Sequence, residues 1–118
     1  KFNLQDRLID FSVSIIQLTR KLPKDIALQN LYDQISRSST SPSLNYAEAS
    51  SAYSDAQFSY RTAICLRELR ETHVNLRIIR KLNVLNNSEL DPLLEENDQL
   101  IRIFVKTNQT VRNRMKAS

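Results

Sequence analysis

The sequence contains no glycine at all. Phosphate-binding loops, dinucleotide-binding turns and the nucleophile elbow of hydrolases need glycine where the backbone turns sharply or approaches a ligand. Those classes of enzyme site are therefore excluded. The chain also has one cysteine and one histidine. That is too few for a disulfide framework or a Cys/His zinc site within one chain.

Long apolar runs are absent as well. No stretch reaches the roughly 18 consecutive apolar residues that favour a membrane-spanning helix, and residues 1–20 lack the pattern of a signal peptide. An unpaired Cys65 is typical of a reducing compartment. We therefore expect a cytoplasmic protein with no membrane partner. Nothing in the sequence indicates a cofactor, a metal or a small-molecule substrate.

In its other residues the composition is that of an ordinary globular domain with a net positive charge. The chain has 118 residues, of which 41% are hydrophobic and 25% charged, with a net charge of +4. This length predicts a single domain over residues 1–118 that is large enough to bury a core of its own.

Apolar periodicity predicts the first two helices. Apolar residues recur every three or four positions over 3–22, with Asn3 as the N-cap. A second stripe with the same spacing crosses the serine-rich segment 36–43, which includes Pro42. Composition favours a loop between two short helices here. The unbroken spacing favours one helix over about 26–51, kinked at Pro42.

Two further helices complete the pattern. The third begins after Ser54 or Asp55 and ends near residue 82, and the fourth begins with Ser88 as N-cap and Pro92 in its first turn. Four amphipathic helices with short connections predict an all-α, antiparallel up-down-up-down four-helix bundle. The inner face of the fourth helix is predicted to consist of Leu90, Leu93, Leu100, Phe104, Val111 and Met115.

Segments 34–49 and 58–76 carry a family resemblance. The first has an arginine–serine stretch followed by an asparagine and a glutamate, and the second opens on Phe58 and continues into an acidic motif. In both, and again over 92–104, the chain resembles the bacterial four-helix-bundle proteins first described as encoded by intervening sequences within large-subunit ribosomal RNA genes. The residues that this resemblance marks as a structural or partner site are Arg37, Ser38, Ser41, Asn45, Glu48, Glu68, Glu71 and Thr72.

The resemblance has implications for structure and function. It implies that residues 38–49 are helical despite the serines, and that the protein forms a ring-like homopentamer. It also implies no established enzymatic activity. A related accessory protein of diversity-generating retroelements is a basic pentamer that binds nucleic acid, which offers a functional analogy.

Several residues have chemistry that could serve a catalytic or metal site. A di-metal site in a bundle needs Glu-x-x-His pairs on two helices, whereas His73 is the one histidine and lies on a different face from Glu71. We expect the glutamates of the motif to pair with arginines such as Arg37 or Arg61, or to face solvent. Cys65, on an apolar stripe, is expected to be a buried, inert thiol, and His73 a partly exposed structural residue.

A basic stripe on the third helix suggests one partner. Residues 61–81 contain six bases and two acids, a net charge of +4. Four of the bases fall within an arc of about 80° on a helical wheel. Such a stripe can bind the phosphates of RNA or DNA, or it can be a solvated face. Its residues are Arg67, Arg70, Arg77 and Lys81.

A second apolar stripe on the first helix suggests another partner, a further copy of the chain. A monomeric bundle needs one apolar stripe per helix, and a surplus stripe predicts a second buried surface. The predicted interface residues are Phe2, Ile9, Val13 and Ile16. The sequence thus predicts a non-catalytic, oligomeric interaction or scaffold protein. The alternative is a nucleic-acid-binding accessory protein that uses the basic stripe.

Overall fold

The computed structural model describes residues 3–117. Four α-helices account for nearly all of them: α1 (Leu4–Lys21), α2 (Gln29–Ser50), α3 (Asp55–Leu82) and α4 (Asn87–Ala117). A single turn of 3₁₀-helix, Ile26–Leu28, leads into α2. There is no strand within these residues, and the predicted all-α fold is confirmed. None of the described helices combines the length and apolar character needed to cross a membrane.

Hydrogen bonds between helices define the topology. α2 and α4 each pack against both α1 and α3, whereas α1 and α3 lie diagonally opposite and have no direct packing within the described residues. In every neighbouring pair the residue numbers rise along one helix as they fall along the other, so the bundle is antiparallel. Pairs that show this are Gln5–Ser43, Ser12–Ser39, Arg37–Glu68, Cys65–Pro42, Arg80–Asp91, Arg114–Asp55, Arg7–Glu96 and Lys21–Glu89.

The serine-rich segment is helical. Residues 36–43 lie inside α2, with Pro42 buried within it, so the loop alternative is wrong. A proline cannot donate to the carbonyl four residues earlier, and side chains from both neighbouring helices hydrogen-bond the backbone around it. Ser12 of α1 donates to the Ser39 carbonyl at 2.7 Å, and Cys65 of α3 donates to the Pro42 carbonyl at 3.4 Å. Tertiary contacts thus hold a segment that its composition favours as a loop.

The helix ends follow ordinary capping chemistry, with one correction. Asn3 and Ser54 cap α1 and α3, as predicted. Ser88 is not an N-cap: α4 begins at Asn87, and the side chain of Asn86 accepts from the Ser88 backbone N–H at 3.0 Å. Pro92 consequently lies in the second turn of α4. The prediction failed because several consecutive polar residues here are all competent caps.

The core is a continuous layer of leucine, isoleucine and phenylalanine from all four helices. Ile15, Ile35, Leu76 and Phe104 are each fully buried. Met115, predicted on the inner face of α4, is instead 38% exposed, because it lies in the last turn of that long helix. Phe2 lies outside the described residues.

Candidate interaction surfaces

The motif residues of α2 and α3 meet at the contact between these two helices. Glu68, whose side chain is 4% exposed, accepts hydrogen bonds from Arg37 at 2.9 Å and from Arg67 at 3.3 Å. One turn along α3, Thr72 shares a 2.8 Å hydrogen bond with Ser38, and both residues are fully buried. Buried polar groups are tolerated when they are paired. These pairs therefore fix how α2 sits against α3.

The polar contact continues along α2 through Asn45. The Asn45 amide donates to the carbonyl and the hydroxyl of Ser41, at 3.1 and 3.0 Å, and accepts from Arg61 at 3.0 Å. Arg61 also lies 4.0 Å from Glu48. All of these partners belong to α2 and α3, so Asn45 contributes to the packing of the two helices.

The carboxylates of the motif are paired as expected. Besides its contact with Glu68, Arg37 lies 3.5 Å from Glu71. No group of three or more His, Cys, Asp or Glu residues is placed to hold a metal ion within residues 3–117. We use the name α2–α3 polar seam for the hydrogen bonds and ion pairs between α2 and α3 that Arg37, Ser38, Asn45, Glu68 and Thr72 form. The geometry is that of a structural element rather than of an acid/base pair facing a substrate.

The four residues of the basic stripe on α3 have different environments, because only one of them contacts the α2–α3 polar seam. Arg67 turns toward Glu68 and Glu71, at 3.3 and 4.0 Å. Arg70, Arg77 and Lys81 are exposed and form no ion pair with any residue of the described range. Three of the four predicted cations are therefore exposed to solvent without a carboxylate partner in the described range.

An open groove of about 900 Å³ follows the outward face of α3. Its apolar wall consists of Leu66, Val74 and Ile78 of α3 and Val105 of α4. Val74 is 50% exposed and Ile78 is 42% exposed, which is unusual for branched aliphatic side chains that lie next to one another. We call this feature the α3 groove.

Charged and amide side chains complete the α3 groove. Arg70 of α3 and Arg112 of α4 line it. So do Asn75 and Asn108, which are 7% and 6% exposed. The Asn108 amide donates to the Thr62 carbonyl at 3.5 Å. Arg67 and Glu71 line the groove as well, so its lining combines the apolar residues with three arginines and one carboxylate.

The outward face of α1 is the second apolar surface. Ile9 and Val13 are 44% and 47% exposed, and Ile16 is half-buried beside them. Asp6 and Asp10, both exposed, lie one turn before Ile9 and Val13, and the exposed Arg20 lies one turn after Ile16. We call this surface the α1 face. Of the three predicted interface residues that the structure describes, Ile9 and Val13 are therefore exposed on this face.

The polar α2–α3 seam lies in the segments that carry the family resemblance, and the chain as a whole matches a known family. Residues 1–106 match the family described as 23S rRNA-intervening sequence protein. The chain belongs to this family. No curated protein matches it.

One solved structure similar to this family member comes from Bacteroides thetaiotaomicron. It is described as a protein with unknown function from the S23 ribosomal protein family. The two chains share 23% identity with a TM-score of 0.79, and the match covers 90% of this chain and 98% of the other. At this level of identity the likeness shows a shared fold.

Buried asparagines on α4 are a feature of this family member that the apolar pattern missed. Asn97 is fully buried and donates to the Leu69 carbonyl at 3.2 Å, and Asn108 is almost as deeply buried. The signal was present in the spacing. Each asparagine fills the middle of a seven-residue gap between inner-face positions, from Leu93 to Leu100 and from Phe104 to Val111.

The remaining reactive residue, Cys65, is inaccessible. It is fully buried, and its Sγ donates to the Pro42 carbonyl. Burial raises the pKa of the Cys65 thiol to about 12. Since the thiolate is the reactive form, this cysteine is inert in the folded protein, as the sequence predicted.

Proposed function

We propose that this member of the 23S rRNA-intervening sequence protein family is a non-catalytic interaction protein that works as a homo-oligomer. The observation that carries the proposal is the apolar surface outside the core, on three of the helices. Adjacent exposed aliphatic residues on a soluble bundle mark a surface that a partner covers. The exposed residues concerned are Ile9, Val13, Val74, Ile78 and Val105.

Two further considerations support this reading. The resemblance to ring-like bundles supports a pentamer as the assembled form. The carboxylates of the motif are engaged by Arg37, Arg61 and Arg67, and Cys65 is buried. None of these groups is held in the way a general base or a nucleophile would need. An interaction role therefore fits the chemistry better than catalysis does.

Light scattering coupled to gel filtration tests the proposal. The wild-type chain of 13.7 kDa should elute at micromolar concentration as a particle of pentameric mass. Val13→Asp places a charge on the exposed α1 face and should reduce the mass toward that of one chain. Its helical circular dichroism should stay unchanged, because Val13 is 47% exposed and does not belong to the core. A wild-type particle with the mass of one chain would overturn the proposal.

A second candidate function is supported by the free cations of α3. Arg70, Arg77 and Lys81 are exposed without ion pairs to the described residues, so they can contact phosphates. We expect Arg77→Glu combined with Lys81→Glu, at two residues outside the lining of the α3 groove, to weaken binding of a generic RNA and a generic duplex DNA. Each lost phosphate contact should also reduce the slope of log affinity against log salt by about 0.7 to 0.9.

A matched control separates this effect from net charge. Arg102→Glu combined with Lys106→Glu makes the same change in charge on α4, away from the stripe. Filter binding at several salt concentrations should leave this control close to wild type. If the wild-type protein binds neither nucleic acid even at low salt, the stripe is a solvated face and this second function is wrong.

A further inference from the structure

The α1 face and the α3 groove differ in the sign of their charge. Asp6 and Asp10 lie one turn before Ile9 and Val13, and neither carboxylate forms an ion pair with residues 3–117. With Arg20, one turn after Ile16, they leave the α1 face with a net charge of −1. The α3 groove is lined by three arginines (Arg67, Arg70 and Arg112) and one carboxylate (Glu71), a net charge of +2. The two apolar surfaces therefore carry net charges of opposite sign.

The two surfaces also differ in shape. The α1 face is the convex side of a single helix with aliphatic side chains one turn apart, at Ile9 and Val13. The α3 groove is a concave feature between elements, lined mostly by residues of α3, with Val105 and Arg112 of α4 and Gln34 of α2 completing its lining. A helix laid in a groove is a recurring mode of recognition, with aliphatic anchors at helical spacing.

The topology prevents the two surfaces from meeting within one chain. α1 packs against α2 and α4, and it lies diagonally opposite α3. The α1 face and the α3 groove consequently point to different sides of the bundle. Neither surface can therefore cover the other within one bundle.

We propose that the α1 face of one copy docks into the α3 groove of the next copy. Ile9 and Val13 would pack on Val74, Ile78 and Val105. The aspartates of α1 would then lie near the arginines of the groove. This inference rests on the proposed self-association and adds to it which surfaces meet. Because the two surfaces are different, the contact is head-to-tail, and repeating it generates a ring if the rotation closes.

A mixing experiment tests this arrangement. The first variant carries Ile9→Asp and Val13→Asp and loses the α1 face. The second carries Val74→Asp and Val105→Asp and loses the groove. All four side chains are at least 39% exposed, so both variants should keep wild-type helicity. Each variant by itself should associate at least about 100-fold more weakly than wild type.

The mixture gives the decisive result. In an equimolar mixture, the intact α1 face of the second variant meets the intact groove of the first, so heterodimers should form and growth should stop there. Ile26→Asp, at a residue that is 96% exposed outside both surfaces, is the matched control and should assemble like wild type. If either variant fails to fold, the pair Val13→Ser and Val74→Ser replaces the two double variants.

The outcomes separate this inference from the proposed function. A monomeric wild type overturns both. If the wild type assembles and the groove variant assembles equally well, self-association stands and the docking arrangement is wrong. Two monomeric variants that fail to combine would also overturn it, because the intact α1 face of one variant would then not bind the intact groove of the other.

Discussion

At the scale of single residues, buried polar side chains determine how α2 aligns with α3. Ser38, Thr72 and Glu68 are each no more than 3% exposed, and all three are hydrogen-bonded between α2 and α3. An apolar core tolerates sliding of one helix along another, whereas a buried hydrogen bond is lost when the register shifts. The family resemblance marked Asn45 as a structural or partner residue, and its hydrogen bonds lie within the α2–α3 contact. The sequence could not predict the Ser38–Thr72 pair, which depends on how two distant helices align.

The buried thiol makes stability depend on pH. In the unfolded chain Cys65 loses its proton near pH 9.0, whereas burial keeps it protonated up to about pH 12 in the folded protein. The buried, protonated thiol therefore makes its full contribution to the free energy of unfolding below pH 9.0. This contribution is lost as the pH rises toward 12, because the unfolded chain is then stabilised by losing the proton.

We expect this contribution to disappear in Cys65→Ala. Between pH 8 and pH 10.5, the free energy of unfolding of the wild type should fall by about 1–2 kcal/mol more than that of the variant. Urea titrations at the two pH values measure the difference, and the lysines and tyrosines shared by both proteins cancel. An equal fall in the two proteins would show that the thiol is not buried in this way.

At the scale of the element, α2 is the helix whose sequence and structure disagree most. Serine and proline are poor helix formers, and composition favoured a loop at 36–43. Spacing favoured a helix, and the structure confirms the helix. The small side chains have a packing role, because Ser39 is 1% exposed and its carbonyl accepts a hydrogen bond from Ser12 of α1. Amino-acid composition cannot predict this packing role, because the role depends on how closely α1 approaches α2 in the folded protein.

A single substitution separates packing from propensity in α2. Ser39→Leu improves intrinsic helix propensity, yet it inserts a large side chain where α1 approaches closely. We expect it to lower the free energy of unfolding by about 1–3 kcal/mol. Ser50→Leu, at an exposed position of the same helix, is the matched control and should change stability by about 0.5 kcal/mol or less. Urea unfolding followed by circular dichroism gives both values, and a stabilised Ser39→Leu variant would show that the contact is loose.

At the scale of the whole molecule, the bundle leaves different surfaces on different sides. The apolar surplus of α1 was visible in its sequence, because it lies outside the stripe that forms the core. The α3 groove was only partly visible. Val74 and Ile78 lie one turn apart in the sequence of α3, whereas Val105 and Arg112 join them through the packing of α4. A surface built from two helices requires the tertiary structure, and the sequence of one helix cannot define it.

We propose that these surfaces are covered in an assembly of identical chains. Native mass spectrometry of the wild-type protein at micromolar concentration measures this assembly, because it counts chains of 13.7 kDa within each particle. We expect a dominant pentamer. A spectrum that contains only single chains, at concentrations where the protein remains helical, would contradict the proposal.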